Sequence, residues 1–283
     1  MNKFLLAAVS VAFLLFCGGH PAMADTTAAF DGGADTPVTL ETFGDPGGPS
    51  IEAAGGNPGG FLRLTDAING QNNFATFDNS DAGSFPAANF SFDFIVDPTA
   101  TGSSADGFSF SFADTATHGS SGGIGAPAFT PEDPAAAGIL GFGFDTWNNG
   151  GAFDVPGIEP GNDYSEISVF YNGALVSRID DTRLLPVSLA LDDGAWHEVD
   201  GAVNFAAGTV SLSVDGQAMF SDVAVPGLVP FESRIMFAAR TGGANELAGI
   251  DNLNVQFVPE PVAGVLALVG FGALGLLRRR RVG

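Results

Sequence analysis

The amino-acid sequence predicts an all-β fold, a jelly-roll sandwich of two antiparallel sheets. Apolar segments alternate with period two: residues 89–94 and 107–112 each place Phe on one face and small or polar residues on the other, as in strands that cover a core. The 26 Phe, 40 Gly and 17 Pro are spread along the chain, which indicates an apolar core divided by many turns. No segment between the two termini has a convincing helical period. One domain of about 230 residues is within the range of such sandwiches.

The same pattern recurs at short intervals. Further strands are predicted at residues 61–64, 73–77, 139–147, 166–171, 175–179, 196–205, 209–214, 234–239 and 250–257. The turn dipeptides Asn172-Gly173, Asp193-Gly194 and Asp215-Gly216 join several of them. Many short strands at this spacing favour two packed antiparallel sheets.

The amino terminus predicts export. Lys3 precedes an apolar stretch at residues 4–16, and a small-residue Ala-Met-Ala segment ends just before Asp25. These are the three regions of a secretory signal, so residues 1–24 are predicted to be a signal peptide removed by signal peptidase. The single cysteine, Cys17, lies in this segment, and the mature chain therefore has no thiol to form a disulfide.

The carboxyl terminus predicts a membrane stop. The sequence Val-Pro-Glu-Pro at residues 258–261 leads into an uncharged run at residues 262–277, which ends at four Arg at residues 278–281. Such a run can cross most of a bilayer as a transmembrane helix, with the Arg cluster on the cytoplasmic side. Such a segment could serve as a sorting signal or, as the alternative, as an ordinary single-pass anchor.

This order of parts resembles the PEP-CTERM sorting tail of bacterial exported proteins, which a membrane-embedded exosortase is thought to recognise and remove. The resemblance implies a sorting tail at residues 258–283 behind a functional domain at residues 25–257. It also implies an inner-membrane intermediate that is then retained at the cell surface or released to the extracellular matrix. PEP-CTERM proteins as a group are associated with exopolysaccharide and biofilm.

Charge narrows the class of partner. The chain has 32 Asp and Glu against 10 Lys and Arg, and five of those ten lie in the two terminal segments. The remaining five are all Arg, so the domain is strongly acidic and is not expected to bind nucleic acid or anionic lipid. Carboxylates in such excess suit hard cations such as calcium. Solubility outside the cell is the alternative explanation for most of them.

Three spots in the strand pattern carry unusual chemistry. They are Ala105-Asp106-Gly107 at the head of a Phe-rich strand, the segment GFDTWNNG at residues 143–150, and ARTGG at residues 239–243. A Gly-rich loop at residues 119–127 lies between the first two. In this order they resemble the L-type lectins of the concanavalin-A-like sandwich fold, over most of the mature chain. The resemblance implies a carbohydrate-binding protein whose partner is a polysaccharide or another glycan.

The second spot predicts a calcium site. From Asp145 to Asn149 the chain leaves a strand into a turn, so a carboxylate, a main-chain carbonyl and an amide oxygen could converge on one cation. By resemblance, the ligands are Asp145, the Trp147 carbonyl and Asn149. Asp163 is the first choice for a further carboxylate and Asp154 the second, because the spacing does not decide between them. The alternative is that Asp145 and Asn149 only cap a turn.

Legume lectins also hold a transition metal beside the calcium. They use a Glu two residues before the Asp ligand and a His in the next strand. The corresponding places in this chain look like Gly143 and about Glu166. A calcium-only site, as in the animal cargo lectins, is therefore expected.

The sugar contacts follow from the same resemblance. It implies that Asp106 accepts hydrogen bonds from two sugar hydroxyls, that Asn149 donates to one, and that the peptide bond before Asp106 is cis. Backbone amides are expected from two Gly pairs. The full set of implied carbohydrate contacts is Asp106, Gly122, Gly123, Asn149, Gly242 and Gly243.

Two other functions are considered. Hydrolases of this fold carry Glu-x-Asp-x-x-Glu or Glu-x-Asp-x-Glu, and neither spacing occurs here, so catalysis is not expected. Trp196-His197 ahead of Asp215-Gly216 instead resembles a structural feature of laminin-G-like sandwiches, where these residues pack and hydrogen-bond. The remaining alternative is a structural surface or matrix protein with a non-functional sugar site. Retention of Asp106, Asp145 and Asn149 together favours binding.

Overall fold

The computed structural model of the chain describes residues 25–44, 47–98, 104–125, 129–156, 160–161, 163–180 and 190–259. The predicted signal peptide and the predicted sorting tail beyond Pro259 lie outside these ranges. Within them, no helix has the length and apolar character needed to cross a membrane.

The described residues form fifteen strands and one short helix. In chain order these are β1 (Thr26–Ala28), β2 (Val38–Thr42), β3 (Ser50–Gly56), β4 (Gly59–Thr65), β5 (Asn72–Phe77), β6 (Ala87–Asp97), β7 (Gly107–Asp114), α1 (Thr115–His118), β8 (Ile139–Trp147), β9 (Asp163–Tyr171), β10 (Ala174–Asp180), β11 (Trp196–Asn204), β12 (Thr209–Val214), β13 (Gln217–Ala224), β14 (Ser233–Arg240) and β15 (Leu247–Val258).

Two antiparallel sheets result, which confirms the predicted sandwich. The front sheet has the strand order β10-β9-β8-β7-β14-β5-β2. The back sheet has the order β13-β12-β11-β6-β15-β4-β3, and β1 pairs with β15 at its side. Strands adjacent in space are often distant in sequence, as β7 and β14 are, and such crossovers are typical of jelly rolls.

The core lies between β6 of the back sheet and β7 of the front sheet. Phe90, Phe92 and Phe94 alternate along β6 with more exposed residues and point inward. They meet the Phe residues of β7: the ring centroid of Phe110 lies 4.7 Å from that of Phe90 and 5.2 Å from that of Phe92. Centroid spacings of this size are favourable for aromatic pairs, so the alternating Phe pattern produces the inter-sheet packing.

The central strands of the front sheet, β8, β7, β14 and β5, are buried on both of their faces, which the alternation did not predict. Ser109 and Ser111, on the face of β7 away from the core, have no exposed surface. The chain between β7 and β8 passes over this face, where Phe129 packs edge-to-face on Phe74 at 5.9 Å between ring centroids. The described part of this connection therefore covers the outer face of β5, β7 and β14.

Trp196 and His197 have the structural role that was expected. The His197 Nδ1 atom lies 2.8 Å from Asp215 Oδ2, and its Nε2 atom lies 3.2 Å from Asp193 Oδ1. The Trp196 ring packs against Phe61 with 5.8 Å between centroids. Both polar atoms of the buried imidazole are therefore satisfied within the fold, away from the predicted sugar site.

Antiparallel pairing brings three strand ends together. Gly107, the first residue of β7, lies opposite Asp145 near the end of β8 and opposite Arg240 at the end of β14. Because β7 runs antiparallel to both neighbours, its beginning meets their ends. The three sequence motifs therefore converge at one edge of the front sheet.

Candidate carbohydrate site

Asp106 lies at the base of the site. The Ala105–Asp106 peptide bond is cis, as the resemblance implied. Its backbone N–H donates to the Arg240 carbonyl at 3.0 Å, and its carbonyl accepts from Thr146 N–H at 3.2 Å, which ties Asp106 to both neighbouring strands. The side chain is 2% exposed, and its Oδ2 atom has no hydrogen-bond partner among the described residues.

Asn149 contacts Asp106 directly. Its amide atoms are assigned by their partners: the nitrogen donates to Asp106 Oδ1 at 3.1 Å, and the oxygen accepts from Arg240 Nη2 at 2.9 Å. Arg240 Nε lies 3.6 Å from Asp106 Oδ2. The structure therefore brings together Asp106 and Asn149, as the sequence predicted, and adds Arg240 to them.

Glu132 completes this cluster and was missed at the sequence level. Its carboxylate is 1% exposed and accepts from Arg240 Nε at 2.8 Å and 2.7 Å, with Arg240 Nη2 at 2.5 Å from Oε1. Arg240 belongs to the motif ARTGG at residues 239–243, but the sequence pattern predicts no role for its side chain. The available signal was that Arg240 ends an apolar strand in a domain with few basic residues, and such a charge needs a partner.

Burial controls the protonation of this cluster. It raises the pKa of the Glu132 carboxyl to about 7 even though Arg240 opposes the shift. Burial likewise raises the pKa of Asp106, partly offset by Arg240. The neighbouring Asp133 has its pKa raised to about 6, first by burial and then by the charge of Asp154. Acidic groups outnumber basic ones here, so the site favours hydrogen-bond donors and cations.

The predicted calcium ligands occupy the end of β8. Asp145 is buried; its Oδ1 accepts from Trp147 N–H at 2.9 Å and its Oδ2 from the Tyr164 hydroxyl at 2.9 Å. Burial raises the pKa of Asp145 well above its ordinary value, and Glu132 adds to the shift. Hydrogen bonds to both oxygens therefore hold the Asp145 carboxyl at the turn.

The two alternatives for a further carboxylate are placed differently. The Asp154 carboxylate accepts from Asn149 N–H at 3.0 Å and from Gly151 N–H. Asp163 begins β9 and its backbone lies opposite Trp147, but its side chain is outside the description. Asp154, the second choice from sequence, is thus the one seen in contact with the turn.

The donor set fits calcium in part. Asp145, the Trp147 carbonyl and Asp154 offer the oxygen ligands that calcium prefers, around one turn. Asn149 fits less well, because its amide oxygen accepts from Arg240 and a cation bound to the same oxygen would lie beside the guanidinium charge. In the described ranges no three Asp, Glu, His or Cys side chains cluster tightly enough to hold a metal by themselves.

Gly143 stands where the resemblance would place the Glu ligand of a transition metal. A Cβ atom at Gly143 would lie 2.2 Å from the Glu132 carbonyl oxygen, so only Gly lets this segment approach β8. The space that a longer side chain would need is taken by the Glu132 segment. Glu166 is buried with Arg178 Nη1 at 3.9 Å, and burial raises its pKa to about 8.

The two predicted Gly pairs differ in position. Gly242 borders the site, since a Cβ atom there would lie 2.8 Å from Asp106 Oδ2. Its N–H donates to the Ala244 carbonyl at 3.1 Å, so this amide is engaged within the loop. Gly243 is exposed beside it.

Gly122 and Gly123 are not brought to Asp106. The Gly122 N–H donates to Asp78 Oδ1 at 3.0 Å, and its carbonyl accepts from Arg234 Nη1 at 2.7 Å. Arg234 lies six residues before Arg240 on β14, about 20 Å along an extended strand. The prediction of a free Gly122 amide at the sugar site is therefore wrong. The later part of the same connection, with Glu132, reaches the site instead.

Glu246 lies beneath the site, and the sequence analysis did not predict its role. Its fully buried carboxylate accepts through Oε2 from the Ser104 hydroxyl and from the Thr146 hydroxyl at 2.8 Å. Ser104 and Thr146 flank the Asp106 and Asp145 positions in sequence. One carboxylate therefore links the two segments that carry the predicted sugar and metal residues.

Comparison with known proteins supports the fold. The sequence matches no protein-family model and no curated protein. Among solved structures, peanut lectin with a nine-residue peptide is 18% identical with a TM-score of 0.52, over 77% of this chain and 90% of that lectin. The VIP36 exoplasmic/lumenal domain with calcium and mannose bound is 14% identical, with a TM-score of 0.54 over 84% of this chain and 91% of that domain.

A third similar structure is the lectin of Bauhinia forficata in complex with GalNAc. It is 17% identical, with a TM-score of 0.50 over 84% of this chain and 99% of that lectin. The described domain thus has the concanavalin-A-like fold that legume lectins and the L-type lectin VIP36 share, as the resemblance implied.

Proposed function

We propose that the domain binds carbohydrate, without catalysis, at the site formed by Asp106, Asn149 and Gly242. The observation that carries this proposal is the Asp106 Oδ2 atom, a carboxylate oxygen beside the Gly242 backbone. It has no hydrogen-bond partner in the described residues and lies 3.6 Å from Arg240 Nε. Such an acceptor suits a sugar hydroxyl, and Gly242 leaves room for a ring to approach. The similar VIP36 domain and Bauhinia forficata lectin have mannose and GalNAc bound, respectively, which supports the same class of ligand.

The proposed setting is the bacterial cell surface or its matrix. The signal at residues 1–24 would direct export. The tail at residues 258–283 would anchor the protein in the membrane until exosortase removes the tail. A self-made exopolysaccharide of a biofilm is the proposed ligand. A single shallow site has an affinity of roughly millimolar to micromolar, so a repeating glycan that engages many copies is the suitable partner.

A structural matrix role is the second candidate. Asp106, Asn149, Arg240 and Glu132 already bond to one another, as residues of a purely structural polar network would. The two functions differ in whether loss of the Asp106 charge changes glycan retention.

Asp106→Asn is expected to weaken glycan binding at least about tenfold, because one accepting oxygen is replaced by a donor. The measurement uses full-length protein in a detergent without a sugar headgroup, applied to beads bearing mannose, N-acetylgalactosamine or extracellular polysaccharide of the producing bacterium. Glu198→Gln is the matched control, since Glu198 is exposed on the back sheet. Absence of retention by the wild type would favour the structural role.

Calcium is proposed as a ligand of the turn that follows β8, held by Asp145, the Trp147 carbonyl and Asp154, with Asp163 as the alternative carboxylate. Bound there, it would neutralise the buried carboxylates and stiffen the turn. Calorimetric titration of calcium into the wild type is expected to show one saturable site that Asp145→Asn abolishes. Unchanged heats in that variant would remove Asp145 from the ligand set.

A further inference from the structure

We infer that Arg240 is a positioning residue that supplies the fixed positive charge of the carbohydrate site, so that glycan binding does not require calcium. The inference rests on the proposed carbohydrate function and concerns how Asp106 and Asn149 are held. Nothing in the resemblance assigned a role to Arg240.

Arg240 contacts the Asn149 amide and orients it. A calcium ion that organised this pair would have to take the Asn149 amide oxygen, the ligand predicted from the sequence. That oxygen accepts from Arg240 Nη2 at 2.9 Å, so a calcium ion bound to it would lie beside the guanidinium charge and be repelled. The opposite end of the amide then faces Asp106 Oδ1 at 3.1 Å, so the guanidinium sets the direction of the amide. An amide nitrogen has two N–H donors, and one remains after the Asp106 bond.

The Arg240 guanidinium is itself held in place by Glu132. Glu132 accepts from Nε through both of its oxygens, at 2.8 Å and 2.7 Å, and Nη2 is shared with Oε1 at 2.5 Å. A planar guanidinium that donates to a carboxylate along one edge has a fixed orientation. The Glu132 side chain is 1% exposed and that of Arg240 is 24% exposed, so solvent and salt reach this pair only from the Arg240 side.

The charge of Arg240 also acts on the Asp106 carboxylate. Asp106 is buried, and its Oδ2 atom lies 3.6 Å from Arg240 Nε. A positive charge at this distance favours the ionised carboxylate, which is the form that accepts from two hydroxyls. Because the charge belongs to a side chain, a chelator cannot remove it. The calcium proposed at the turn after β8 would then stabilise the turn without being needed for the sugar contacts.

The test measures retention of full-length protein on the same three glycan-coated beads, in excess EDTA and in excess calcium chloride. The wild type is expected to bind equally, within about twofold, in both. Arg240→Ala is expected to lose at least about tenfold in EDTA, and Arg240→Lys to fall between them, because an ammonium cannot engage Glu132 and Asn149 along one plane. Glu198→Gln serves again as the control.

Arg240→Ala also leaves Glu132 buried and unpaired, which could unfold the domain. The double variant Arg240→Ala/Glu132→Gln removes that charge as well. It is expected to regain the thermal stability of the wild type without regaining glycan retention, an outcome that a merely structural role for Arg240 does not produce.

Two results would overturn the inference. One is wild-type binding that EDTA abolishes and calcium restores; the other is Arg240→Ala binding at the wild-type level in EDTA. Either would leave the proposed carbohydrate function standing as long as Asp106→Asn still loses binding. A wild type retained on none of the beads would overturn the proposed function and this inference with it.

Discussion

Phe110→Ala is expected to lower the free energy of unfolding by about 3–5 kcal/mol. Phe110 has no exposed surface and lies between the two sheets, with ring centroids of Phe90, Phe92 and Phe237 at 4.7, 5.2 and 5.2 Å. Removing this ring leaves a cavity that neighbours fixed in two sheets cannot fill, and the aromatic contacts are lost as well. Urea denaturation followed by circular dichroism measures the change.

Phe43→Ala is the matched control, because the same atoms are removed from a side chain that is 40% exposed. Its cost is expected to be about 1 kcal/mol or less. Equal losses for the two variants would contradict the central position of Phe110 and the inter-sheet packing built around it.

The stability of the domain is expected to fall as the pH rises from about 5 to 9. Burial raises the pKa of Glu246 to about 8, that of Glu166 to about 8 and that of Glu132 to about 7, all above the ordinary Glu value near 4.5. Between the unfolded and folded pKa values the folded state binds more protons than the unfolded one. The free energy of unfolding therefore decreases with pH across that window and levels off above the folded pKa.

Glu246→Gln is expected to flatten this dependence. The amide keeps the size of the side chain and an oxygen that can accept from Ser104 and Thr146, but it does not ionise. The variant is expected to exceed the wild type in stability at pH 9 by on the order of a few kcal/mol and to differ little at pH 5. Thermal and urea denaturation in EDTA at both pH values measure this.

The exposed Glu198→Gln variant should give a curve parallel to that of the wild type. A Glu246→Gln curve equally parallel to the wild type would show that Glu246 does not titrate in this window. It would also count against its complete burial beneath the site.

Sequence patterns located the strongly alternating strands well. The bounds of β8 and β12 agree with the prediction, because their inward residues are apolar and their neighbours are turns. The strands β1, β2, β3 and β13 were missed. Strand β3, for example, is rich in Gly and Ala and is largely exposed, so hydrophobic alternation provides no signal there. Its pairing with β4 decides its conformation instead.

The candidate site was predictable where one short motif carries both the chemistry and its position. Asp106 and Asn149 belong to such motifs, and strand pairing brings them together. Glu132 stands in a Pro-rich connection with no periodic pattern, and only the path of that connection over the front sheet brings it to Arg240. The Gly-rich motif at Gly122 is the opposite case. Its sequence suggested a place in the site, but the Gly122 N–H donates to Asp78 elsewhere on that face.

The sequence by itself determined the all-β class, the Phe-lined faces and the acidic character of this protein, because period-two alternation and charge composition are local properties that need no partner. Only the tertiary structure decided that Arg240 and Glu132 pair beside Asp106 and Asn149. Those contacts join residues separated by up to 134 positions, from Asp106 to Arg240, and their proximity depends on the order in which the strands pair.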